Sequence, residues 1–246
     1  MTTTAVADDA PVTAPAALDR PGLARRCAAE GLATFALVFA GCGAVVTDAV
    51  RDGALGTVGI AAVFGLIVMA MIYATGHLSG AHFNPAVTIA FTLTGHFRAR
   101  EALAYIGAQL VGATGGSLVL LAAFADKPAD LGATVPSVPA GTALLYEGLL
   151  SAMLMFVILA VATDARAIGA GAAVAIGATV ALDAAFGGPL TGASMNPARS
   201  FGPALASGQW HDFWLYVAGP VLGTTAGALA YQLIRVPHTP PGATDR

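Results

Sequence analysis

Six apolar stretches, near residues 23–47, 56–77, 101–124, 141–163, 168–187 and 213–235, dominate this chain. Each is long enough to cross a hydrocarbon core of about 30 Å, which takes roughly 20 helical residues. After the second stretch and again after the fifth comes the same tripeptide, Asn84-Pro85-Ala86 and Asn196-Pro197-Ala198. The residues before each copy match too: Ser79-Gly80-Ala81-His82-Phe83 precedes the first and Thr191-Gly192-Ala193-Ser194-Met195 the second. Each tripeptide opens a short apolar segment, near 84–93 and 196–206, that cannot span. The repeat reaches further, with Glu30-Gly31-Leu32 recurring as Glu147-Gly148-Leu149, and Tyr105, Gly112 and Gly116 as Tyr216, Gly223 and Gly227. The offsets, 117 for the glutamates, 112 for the asparagines and 111 for the tyrosines, make the halves colinear duplicates over about 23–124 and 141–236. Three spans per half is an odd number, so the second half enters the membrane from the opposite side and the halves are inverted repeats. The fold expected is an all-α membrane protein, six transmembrane helices plus two re-entrant half-helices, in one domain over 23–236.

Composition agrees. The 246 residues are 57% hydrophobic and only 10% charged, against about 25% charged in soluble domains, and the mean hydropathy is +0.75. A net charge of -3 with no basic run leaves no surface for nucleic acid. Cys27 and Cys42 lie about four helical turns apart in one segment, too far for a disulfide. No nucleophile and base constellation and no metal-spaced ligand set is visible, so neither an enzyme nor a metal or cofactor site is expected. Residues 1–22, rich in Ala, Thr, Pro and Asp, read as a disordered cytoplasmic tail, and 237–246 as a second one. Arg20, Arg25, Arg26, Arg98, Arg100, Arg166, Arg235 and Arg246 fall on one predicted side, Arg51 and Lys127 on the other. That bias puts both termini in the cytoplasm.

Backbone that is not helical cannot face lipid, where each unsatisfied amide costs several kcal/mol, so the re-entrant stretches must line a watery path or be buried in protein. Run extended to mid-membrane, they would present the carbonyls of Gly80, Ala81, His82, Gly192, Ala193 and Ser194 to a passing solute. Asn84 and Asn196 then cap short helices, with Pro85 and Pro197 where a missing N–H costs nothing. Two half-helix N-termini meeting at the centre make a positive focus that repels cations and excess protons. Glu30 and Glu147 are membrane-embedded carboxylates; their symmetric places fit acceptance of hydrogen bonds from the loop amides better than proton relay. His82 is expected to brace its loop, Phe83 and Met195 to pack, and Gly65, Gly112, Gly116, Gly177, Gly219, Gly223 and Gly227 to mark close helix approach. Arg199, a guanidinium within the membrane, must face water or a partner and is assigned to the pore. Asp183 is expected to pair with a loop donor or to be neutral in its apolar setting.

These motifs resemble the major intrinsic proteins, the aquaporins and aquaglyceroporins. Phe39-Ala40-Gly41-Cys42-Gly43, Gly76-His77-Leu78-Ser79-Gly80-Ala81-His82-Phe83-Asn84 and Gly192-Ala193-Ser194-Met195-Asn196-Pro197-Ala198-Arg199-Ser200 are most similar to the nodulin-like branch and its bacterial relatives. The resemblance implies a homotetramer in membrane lipid with one pore per protomer, passing water, glycerol or uncharged metalloid hydroxides. It carries a selectivity filter onto Phe64, Ala184, Ala193 and Arg199. Strict water channels have His where this chain has Ala184, and glycerol channels have Trp where it has Phe64. The set is apolar on three sides and wide, which suits glycerol and metalloid hydroxides as well as water; a chiefly water-selective pore is the alternative. A secondary transporter also uses inverted repeats with broken helices, but no cluster of coupling-ion ligands is present. Abundant Ala and the excess of Arg over Lys point to a bacterial inner membrane.

Overall fold

The computed structural model describes residues 21–163 and 171–235. Residues 1–20 and 237–246 of the expected tails, with Arg20 and Arg246, and also Arg166 and the expected start of the fifth span at 168, lie outside them. Among the described residues the helices are α1 (Leu23–Val50), α2 (Gly56–Ser79), α3 (Pro85–Leu93), α4 (Ala99–Ala123), α5 (Ala140–Thr163), α6 (Gly171–Thr191), α7 (Pro197–Ser207) and α8 (Leu215–Ile234). All but α3 and α7 are long and apolar enough to cross a membrane. The expected boundaries hold to within a few residues, with the largest difference at the end of α6. That helix runs to Thr191 through Pro189, beyond the expected 187. The reason is tertiary: Ser137 N–H donates to the Leu190 carbonyl at 2.9 Å and Ser137 Oγ to the Pro189 carbonyl at 2.8 Å, so an incoming loop satisfies the carbonyls of the last turn.

The two repeats pack by the same rule. α1 lies against α4 and α5 against α8, while α2 and α6 cross at the pseudo-twofold axis. The expected glycines make these crossings. A Cβ on Gly65 or Gly177 would strike the other's carbonyl, one on Gly112 that of Gly31, one on Gly223 that of Gly148 and one on Gly227 that of Ala152. Gly116 and Gly219 would clash at 2.8 Å with the Phe35 carbonyl and at 2.7 Å with Glu147 Cβ. Backbones this close gain the dispersion that holds helices together in lipid, where no hydrophobic force does so.

Each half-helix leans on the other repeat. α7 packs mainly against α4, and α3 against α8. Thr224 Oγ1 on α8 donates to the Ala86 carbonyl at 3.1 Å, and a Cβ on Gly202 of α7 would lie 2.5 Å from the Ala113 carbonyl of α4. Where α1 and α4 begin, the buried Arg26 guanidinium donates to Glu101 at 2.8 Å, joining the two helices. Cys27 and Cys42 are both free thiols.

Candidate functional site: a lumen through the repeat axis

The two matched loops are held by the two matched glutamates. Glu30, fully buried, accepts from His82 N–H at 3.0 Å, Phe83 N–H at 2.6 Å, Ser79 Oγ at 2.7 Å and Gln109 Nε2 at 2.8 Å. Glu147, equally buried, accepts from Ser194 N–H and Met195 N–H, both at 2.9 Å, and from Thr191 Oγ1 at 2.7 Å. Ser79 Oγ and Thr191 Oγ1 in turn accept from Ala81 N–H and Ala193 N–H at 3.0 and 3.1 Å. Tyr105 and Tyr216 donate their hydroxyls to the Ser79 and Thr191 carbonyls at 2.8 and 2.7 Å.

This anchoring aims the carbonyls. In a trans peptide the C=O points opposite to the N–H of the following residue. With the amides of residues 81 to 83 and 193 to 195 turned to Ser79, Glu30, Thr191 and Glu147, the carbonyls of Gly80, Ala81, His82, Gly192, Ala193 and Ser194 point away from them. The required backbone is unusual: Gly80 and Gly192 have φ of 91° and 86°, and Ala81, Phe83, Ala193 and Met195 also have positive φ, between 29° and 53°. Such angles cost a residue with a Cβ of order 1–3 kcal/mol, and the bonds to the glutamates compensate.

The asparagines join the halves. Asn84 Oδ1 accepts from the N–H groups of Ala86 and Val87 at 2.9 and 3.4 Å, and Asn196 Oδ1 from those of Ala198 and Arg199 at 2.9 and 3.3 Å. Asn84 Nδ2 donates to the Met195 carbonyl and Asn196 Nδ2 to that of Phe83, both at 2.8 Å. An amide carries two N–H donors, so each Asn keeps one for the cavity that both line.

That cavity, about 700 Å³, runs from Tyr73 and His77 on α2 past Gly80, Ala81, His82, Asn84, Ala193, Ser194 and Asn196 to Arg199. A second, of about 230 Å³ and lined by Val45, Ile60, Gly132, Ala133, Gly188 and Gly192 among others, continues the path. Phe64, Ala184 and Arg199 line both, so they form the ring between the two spaces. Ala193 faces the larger cavity and Gly192 the smaller. Arg199 is 4% exposed; its Nη1 donates to the Gly132 carbonyl at 2.7 Å, and its guanidinium carbon lies 4.9 Å from the Phe64 ring centre.

His82 braces its loop, with Nδ1 3.1 Å from Thr88 Oγ1 and the ring among Phe91, Phe97 and Tyr105. It also borders the cavity. In the second repeat Ser194 Oγ and Ser200 Oγ, 2.6 Å apart, occupy the matching places, and Thr134 Oγ1 joins Ser200 at 2.7 Å. Sequence reading missed Thr134, Gln109 and Gly132. Ser79, Thr191 and the two tyrosines were already visible as matched pairs.

Asp183 corrects the expectation of a loop donor. It is fully buried, and neither carboxylate oxygen has a hydrogen-bond partner among the described residues. Ala184 faces the lumen, whereas Asp183 on the same turn points into protein, as does Gly187 one turn on against Leu150 of α5. A carboxylate without partners is costly to bury. Asp183→Asn keeps the volume and removes the charge, so the thermal midpoint in detergent should rise by roughly 2 °C or more, since about 1 kcal/mol moves a chain of this size by about 2–4 °C. A lower midpoint would mean that the carboxylate does have a partner.

Long helices around two adjoining cavities, with two broken segments meeting between the repeats, have the architecture of a transmembrane channel. The chain belongs to the major intrinsic protein family, whose profile matches residues 17–231. It is 50% identical over 212 residues to "Aquaporin NIP1-1" of Zea mays, covering 86% of this chain and 75% of that protein. To "Putative aquaporin NIP4-1" of Arabidopsis thaliana it is 45% identical over 218 residues, 89% of this chain and 77% of that one. The X-ray structure of the aquaglyceroporin from Plasmodium falciparum superposes with a TM-score of 0.80 at 25% identity, covering 87% of this chain and 97% of that one.

Proposed function

We propose that this channel passes small neutral solutes, glycerol and metalloid hydroxides together with water, and excludes protons and cations. The observation that carries the reading is Ala184. In the ring with Phe64 and Arg199 it contributes only a methyl group, which leaves the ring wide. Arg199 donates to hydroxyls and opposes cations, and the carbonyls of Gly80, Ala81, His82, Gly192, Ala193 and Ser194 accept from the solute as it moves. At the centre, the N-termini of α3 and α7 add a positive field to the donors of Asn84 and Asn196. A proton carried along a water chain would meet that field and two fixed donors. The Arg distribution supports cytoplasmic termini in a bacterial inner membrane, and kinship with the family supports a homotetramer.

Purified protein in liposomes tests the reading by light scattering after imposed gradients of sorbitol, glycerol and a neutral metalloid acid. Water and glycerol flux that do not saturate and depend weakly on temperature are expected. Water flux without glycerol flux would make it a water pore; saturable flux with a steep temperature dependence would make it a carrier.

A further inference from the structure

We infer that the Gly41–Cys42 step of α1 sets the aperture of the ring, although neither residue borders the lumen. The inference rests on the reading of Phe64, Ala184 and Arg199 as the constriction. Gly41 is buried directly behind one edge of the Phe64 ring: a Cβ there would lie 2.6 Å from Cζ and overlap Cε1 and Cδ1. Cys42, fully buried, takes the loop on its other flank. A Cβ on Gly132 would lie 2.7 Å from Cys42 Cβ and 3.0 Å from its Cα, so Gly132 touches α1 as closely as a glycine can. The Gly132 carbonyl is the one that accepts from Arg199 Nη1. One residue of α1 therefore seats the aromatic and the next seats the acceptor of the cation, and the width between them is referred to a single helical step.

The contacts separate this role from helix packing. At Gly112, Gly223 and Gly227 an added methyl meets backbone carbonyls, so those helices would have to part. At Gly41 its three nearest atoms all belong to the Phe64 ring, which can turn. The backbone of α2 cannot retreat, because the adjacent Gly65 is pressed against Gly177 of α6. With Gly41 behind it, the ring has free space on the side of the cavities it lines. Gly41 is thus a positioning residue acting through Phe64.

The test compares Gly41→Ala, Phe64→Ala and the double variant in liposomes, with Gly43→Ala as control, since a methyl there meets only Leu120 Cδ2 at an ordinary 3.5 Å. Gly41→Ala should lower glycerol flux at least about tenfold and water flux less than about threefold, and on the Phe64→Ala background it should change neither. An unchanged Gly41→Ala channel, or an equal loss on both backgrounds, overturns the inference. Should Gly41→Ala fail to assemble, a double variant that assembles with the flux of Phe64→Ala supports it, and one that also fails refutes it. If the parent passes water but no glycerol, the solute reading falls, yet a water loss in Gly41→Ala that is absent from the double variant still upholds the inference.

Discussion

Glu147→Ala is expected to abolish flux, and most of the folded protein with it. The carboxylate accepts from Ser194 N–H, Met195 N–H and Thr191 Oγ1 in a fully buried place. Each donor left without an acceptor costs roughly 1–3 kcal/mol. Three of them approach the whole stability of a domain, about 5–15 kcal/mol, and the positive φ values of Ala193 and Met195 lose the bonds that hold them. Monodispersity in detergent and osmotic flux in liposomes should both collapse. Glu147→Gln, which keeps one acceptor oxygen, should fall between the alanine variant and the parent. A glutamine channel that keeps full flux would leave a support role without force.

Ala184→His should lower glycerol flux at least about tenfold while lowering water flux less than about threefold. A tenfold loss corresponds to about 1.4 kcal/mol at the barrier, a small demand on an imidazole placed in a ring whose other faces are Phe64 and Arg199. Glycerol is wider than water, so a narrower ring should obstruct glycerol first. Equal loss of both solutes would mean that the constriction lies elsewhere.

Most of the lumen was legible because the chain states it twice. Glu30 with Glu147, Asn84 with Asn196 and Tyr105 with Tyr216 stand out in sequence because each pair does the same job from opposite sides. The glycine crossings were legible for a related reason, since small residues at helical spacing have few other uses in lipid. What has no second copy was hard to read. Gly132 holds Arg199 through a carbonyl, which leaves no mark on its side chain. It ends a turn in which Lys127 and Ala129 to Leu131 all have positive φ, between 48° and 56°, an arrangement no local propensity announces. The crossing of α3 to α8 and of α7 to α4 is likewise a tertiary fact. Of the two expectations for Asp183 the loop donor fails, because among the described residues no donor reaches either carboxylate oxygen, although charge pairing is the usual rule for buried acids.

The exchange between Asn84 and Asn196, each amide reaching the loop carbonyl of the other half, has the form of an isologous interface: the patch that gives is also the patch that receives. Two separate half-length chains inserted in opposite orientations would satisfy the same bonds, so the central contact needs no covalent link between the halves. What the link adds is freedom to differ. Arg199 stands three residues after its Asn, where the first half has Val87, and a symmetric dimer would have to place both cations in the lumen or neither.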